Sequence, residues 1–87
     1  MPYIKKSERG YLKYLVDDLS KHMFNVGTLN YIITELLNDY IKKSKGSYEN
    51  YNALVGMLEC CKLEFYRRAI AVYEDKKIKQ NGDVYGK

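Results

Sequence analysis

Apolar residues recur along this chain at helical spacing, in three blocks separated by polar, glycine-bearing links. Tyr11, Leu12, Leu15, Val16, Leu19 and Met23 lie on one stripe and predict a first helix over about 8–23, with Ser7 as its N-cap. Gly10 weakens the first turn of that helix. Residues 24–27 read as a short link. Leu29, Ile32, Ile33, Leu36, Leu37, Tyr40 and Ile41 then repeat at i, i+3, i+4 and i+7. They predict a second helix over 29–43, with Thr28 as N-cap and Lys42 and Lys43 suited to its negative C-terminal end. Residues 44–47, Ser-Lys-Gly-Ser, read as a turn. A third helix is predicted from an N-cap at Asn50 to about residue 77, longer than either of the others. Gln80-Asn81-Gly82-Asp83 signals a turn within a polar tail, 78–87.

The third helix is apolar on two sides. Tyr51, Leu54, Leu58, Cys61, Phe65, Ala69 and Val72 form the stripe expected to meet the first two helices. Gly56, Cys60, Leu63, Arg67 and Ile70 form a second line with spacing 4, 3, 4, 3, a heptad seam flanked by Ala53, Met57 and Ala71. Two short helices can cover one side only. The expected fold is therefore all-α, a single domain 1–87 in which two short helices pack on one long C-terminal helix. The uncovered seam, small at Ala53, Gly56 and Cys60, points to a homo-oligomer. Two competing readings keep a single copy sufficient. The helix breaks at Gly56, or the tail folds back and covers the seam with Val84 and Tyr85.

Composition narrows the class. The chain has 87 residues, 46% hydrophobic and 30% charged, which suits one small folded domain. No apolar run reaches the roughly 20 residues of a membrane span. The net charge of +4 is spread along the chain with acidic residues interleaved throughout, unlike the basic face or tail of a dedicated nucleic-acid binder. Clusters at 42–45 and 76–79 read as solvated helix ends.

Chemistry-bearing residues are few. Cys60 and Cys61 are adjacent, point about 100° apart on a helix and read as reduced, packed thiols of a cytosolic protein. One histidine, His22, and no C-x-x-C pair disfavour a zinc site within one chain. No glycine-rich phosphate loop follows a strand, and the acids near His22 are what any exposed helix carries. The reading is non-enzymatic, with no catalytic residue, metal or cofactor assigned.

Ten tyrosines without tryptophan is unusual usage. Tyrosine combines a flat apolar ring with a polar tip, which suits interfaces and base stacking. Tyr66, Arg67, Tyr73 and Lys77 lie on neighbouring turns and could together hold a nucleotide. Arg67, on the seam, needs a partner. Either a carboxylate such as Glu59, Glu64 or Glu74 supplies it, or an anionic ligand held where chains meet does. Lys76 and Asn30 are further candidates for the same ligand. Arg68 is expected to pair with Glu64 at the surface.

Leu29-Asn30-Tyr31-Ile32-Ile33-Thr34, the run from Leu58 to Arg68, the ending Tyr73-Glu74-Asp75-Lys76-Lys77 through Asn81-Gly82-Asp83-Val84-Tyr85, and the opening Met1-Pro2-Tyr3-Ile4-Lys5-Lys6 are similar to a family of small proteins of unknown function found in bacteriophages and bacterial genomes. The resemblance spans nearly the whole chain. It implies a bacterial cytoplasmic setting and phage or mobile-element accessory cargo, and carries over no site residue. The expected function is sequestration of a small anionic ligand, such as a nucleotide signal, at subunit junctions. The alternatives are a protein-interaction module acting on a host or phage protein, and a nucleic-acid binder.

Overall fold

A computed structural model describes residues 1–22 and 25–86. It is 81% helix, with no strand among the described residues. The elements are α1 (Lys6–Ser20), α2 (Val26–Ser44), α3 (Tyr48–Phe65), a π-helical turn (Tyr66–Ile70) and α4 (Ala71–Asn81). The last three follow one another without a break and make up the long third helix. Met23 and Phe24, the expected end of the first helix and start of its link, lie outside the described residues, as does Lys87.

Each helix starts two to three residues before its predicted position, and capping chemistry explains two of the three cases. Asn25, not Thr28, caps α2. Its backbone is extended, and its Oδ1 accepts from Thr28 N at 2.8 Å and from Thr28 Oγ1 at 3.2 Å. An Asn side chain is a strong cap, and it draws Val26 and Gly27 into the first turn. Ser47 plays the same part for α3, its Oγ accepting from Asn50 N at 3.2 Å. Asn50 is not the cap. Its Nδ2 donates back to Ser44 O at 3.2 Å and ties the two helix ends together. At α1 the preceding Lys5 makes no side-chain cap, Ser7 lies inside the helix, and Arg9 Nε donates to Ile4 O at 2.9 Å.

The turn predicted at 44–47 is present. Lys45 is left-handed (φ 62°, ψ 30°), Gly46 has φ 40°, and Gly46 N donates to Ile41 O at 3.1 Å. The left-handed backbone angle favours glycine at 46, and a Cβ there would press on Ile41 Cγ2 at 3.2 Å and the Tyr51 hydroxyl at 3.3 Å. At the other end α4 continues to Asn81, since nothing between 77 and 81 breaks a helix. Gly82 ends it with φ 91° and donates to Ile78 O at 2.8 Å.

Within the third helix the structure departs from uniform α periodicity. Gly56 leaves the helix unbroken. The irregularity lies ten residues later, where Ala71 N–H donates to Tyr66 O, five residues back. A π turn accommodates about one extra residue, so the faces beyond it lag by roughly 100° relative to those before it. Gly56, Cys60 and Leu63 lie before the π turn and Arg67 and Ile70 within it, so the expected seam runs into the irregular turn.

The chain divides into two units, Met1–Val55 and Gly56–Lys87. In the first, Leu19, Ile32, Leu37, Ile41 and Leu54 are half-buried. In the second the half-buried residues are Glu64, Ile70 and Ala71. No described residue is buried in either. The stripe expected to be covered is correspondingly open. Leu58, Cys61, Phe65, Ala69 and Val72 are exposed, and so are both thiols, which are free but not packed.

Candidate functional site

The second unit places a groove of about 430 Å³ between one face of α4 and the segment that follows it. The π turn supplies Tyr66 and α4 supplies Glu74, Lys77 and Ile78. Past the Gly82 reversal, Asp83, Val84 and Tyr85 form the other wall. The Tyr66 hydroxyl donates to Glu74 Oε1 at 2.9 Å. That hydrogen bond raises the phenol above the ordinary tyrosine range, with the Glu74 negative charge as the next cause. Tyr85 N donates to Asp83 Oδ1 at 2.9 Å and fixes the turn. Lys77 lines the groove, yet its Nζ is 3.4 Å from Gln80 Oε1 and 5.6 Å from the Tyr73 ring centroid. Neither Gln80 nor Tyr73 lines the groove. Its two carboxylates therefore face one lysine that is already engaged.

The sequence-predicted ligand residues separate into groups. Tyr66 and Lys77 reach the groove. Tyr73 touches it only through Lys77, and Lys76 does not line it. Arg67 does not line it either. Its Nη2 lies 3.0 Å from Glu64 Oε1 and 3.4 Å from Oε2, an i, i+3 pair on the same helix. Of the two partners open to Arg67, the carboxylate Glu64 is the one it holds within one chain. Asn30 belongs to the first unit, where its carbonyl and its Oδ1 accept from Thr34 Oγ1 at 2.8 and 3.2 Å. Glu74, Asp83 and Tyr85 were missed by the sequence reading. The available signal was the Asn81-Gly82-Asp83 turn, which reverses the chain and carries Tyr85 back toward the helix.

The residues of the expected seam also divide. Gly56, Cys60 and Leu63 lie on α3 in the second unit and Ile70 in the π turn, whereas Ala53 falls in the first unit. Leu63 is 58% exposed and Ile70 is half-buried. Val84 and Tyr85 do not cover Leu63. They line the groove and remain 88% and 82% exposed. Across the described residues, no group of three or more His, Cys, Asp or Glu could hold a metal ion. Among the described residues, no helix is long and apolar enough to cross a membrane.

Among the described residues, fold and surface together define a small all-helical protein with open apolar helix faces and, in its second unit, a groove beside α4. The chain belongs to the family described as Domain of unknown function (DUF6899), which matches residues 1–84. No curated protein and no solved structure matches it.

Proposed function

We propose that this chain is one subunit of a homo-oligomer that acts by binding rather than catalysis, its apolar helix faces completed only by other copies. One observation carries the reading. No described residue is buried, and in the second unit Leu63, Phe65 and Val72 are more than half exposed.

The ligand we propose is a small anion such as a nucleotide, held where subunits meet. Arg67, Tyr66, Tyr73, Lys76 and Lys77 occupy one unit, and the Arg67 side chain is 66% exposed. One chain alone is a poor anion site, because Arg67 holds Glu64 and the groove carries Glu74 and Asp83. A phosphate therefore needs cations from a second copy as well. Following the resemblance of the sequence, such a protein would serve a phage or mobile element within the bacterial cytoplasm. A second reading, docking of a foreign helix, draws on the same surface, since the second unit is open on both its Leu63 and its Phe65 side.

Native mass spectrometry of protein purified from cells tests these readings together. We expect multiples of the chain mass with a retained small anion, and Arg67→Ala is expected to lose the anion while keeping the stoichiometry. Dissociation of Arg67→Ala would instead make Arg67 an interface residue. A chain that stays single at high concentration would favour the foreign partner.

A further inference from the structure

We infer that the groove between α4 and the segment after Gly82 is a binding site for a small organic cation, an alkylammonium whose charged head meets Glu74 and Asp83 and whose hydrocarbon stem lies along Ile78 and Val84. Every residue of this site belongs to one unit of one copy, so the inference goes beyond the proposed assembly and does not depend on it.

The charge of the lining selects the sign of the occupant. Glu74 and Asp83 bring two negative charges to the groove and Lys77 one positive charge. Neither carboxylate makes an ion pair among the described residues. Their hydrogen-bond partners are neutral. The Tyr66 hydroxyl donates to Glu74 Oε1 and Tyr85 N donates to Asp83 Oδ1, each at 2.9 Å. Bonds of this kind hold a carboxylate in place and leave its charge uncancelled. The Lys77 ammonium is engaged by Gln80 Oε1 at 3.4 Å and by the Tyr73 ring at 5.6 Å, and neither residue lines the groove. An anion entering here would meet two carboxylates, whereas a cation would meet two acceptors already fixed in position.

The rest of the lining separates an organic cation from a metal ion. Hard cations such as calcium and magnesium need six or more oxygen ligands, and among the described residues no group of three His, Cys, Asp or Glu could hold one. The groove instead adds two aromatic rings, Tyr66 and Tyr85, to its two carboxylates. The face of a tyrosine ring is negative and attracts an ammonium group. Ile78 and Val84 supply apolar surface beside them, and Val84 is 88% exposed, so a hydrocarbon stem laid there removes apolar surface from water on both sides. A volume of about 430 Å³ falls within the range of small-molecule sites.

The test titrates butylammonium chloride into the full chain and follows the ring resonances of Tyr66 and Tyr85 by NMR, with Tyr31 and Tyr48 of the first unit as internal references. Butyrate, which has a similar stem and the opposite charge, is titrated beside it, as is sodium chloride at equal ionic strength. We expect saturable shifts confined to Tyr66 and Tyr85, and at least tenfold weaker uptake of butyrate. The double variant Glu74→Gln, Asp83→Asn keeps an acceptor oxygen for each hydrogen bond and so keeps the groove, and it should bind butylammonium at least tenfold more weakly. Shifts that sodium chloride reproduces, or that reach all four tyrosines alike, overturn the site. Butyrate or inorganic phosphate bound as tightly as butylammonium overturns the sign of the occupant. A blocked lysine peptide bound at least tenfold more tightly than butylammonium overturns the small molecule in favour of a protein side chain. A chain that proves to be a single copy would end the proposed assembly and leave this result standing.

Discussion

The two units solve the same problem to different extents. Residues 1–55 contain α1, α2 and the start of α3, and they half-bury one aliphatic residue from α1, three from α2 and one from α3. A tight corner joins α2 to α3, with Asn50 bonded to Ser44 O and Gly46 wedged between Ile41 and Tyr51. Residues 56–87 contain the rest of one helical run and a short returning segment. In this unit Leu63, Phe65 and Val72 are more than half exposed. The lesson is that a helix apolar on several sides is not evidence of a large core in the same chain. It can equally be a surface awaiting another molecule.

The contrast predicts that the two units respond differently to mutation. Leu63→Asp is expected to have the largest effect. It should weaken self-association by at least 30-fold, about 2 kcal/mol for an aliphatic side chain that leaves an interface. Helix content at high concentration should change little, and sedimentation equilibrium with circular dichroism reads both. Leu37→Ala, in the first unit, should lower unfolding stability by about 1–2 kcal/mol, below the usual core value because Leu37 is only half-buried. That loss should be the same at all protein concentrations in a denaturant titration. Equal concentration dependence for the two variants would erase the distinction between the units. Asn25→Ala should cost about 1 kcal/mol through the lost cap of α2, seen as a lower Tm without altered association.

The smallest effect is a pH effect. Glu74 raises the Tyr66 phenol, so the fold favours its protonated form. That preference is fully present below the ordinary tyrosine range and is lost as pH rises through the raised value. Glu74→Gln should return Tyr66 to the ordinary range in an NMR titration of the ring. A Tyr66 titration unmoved by Glu74→Gln would mean that the groove wall is not formed in solution.

Helices, turns and their order were legible in the sequence because periodicity and breakers report them directly. Lys45-Gly46 and Gly82 sit where the chain turns, as Gly-bearing polar links should. Helix starts were less legible. Ser7, Thr28 and Asn50 are all plausible caps, but Asn25 and Ser47 each stand three residues before Thr28 and Asn50 and act first. The π turn was not legible at all. A constant 100° per residue assumes an unbroken ladder, and nothing in Tyr66-Arg67-Arg68-Ala69-Ile70 marks the extra residue. Arg67 and Ile70 of the expected seam lie within the π turn. The candidate site was half visible. Tyr66 and Lys77 were identifiable as an aromatic and a cation on neighbouring turns, whereas Glu74 and Tyr85 join them only through a reversal whose direction the sequence does not encode.

Sedimentation velocity of the wild-type chain over a wide concentration range tests the central claim most directly. The account predicts a species at a whole multiple of 10.2 kDa, with helix content falling as dilution separates the copies. A single 10.2 kDa species that unfolds cooperatively at a concentration-independent temperature would contradict it.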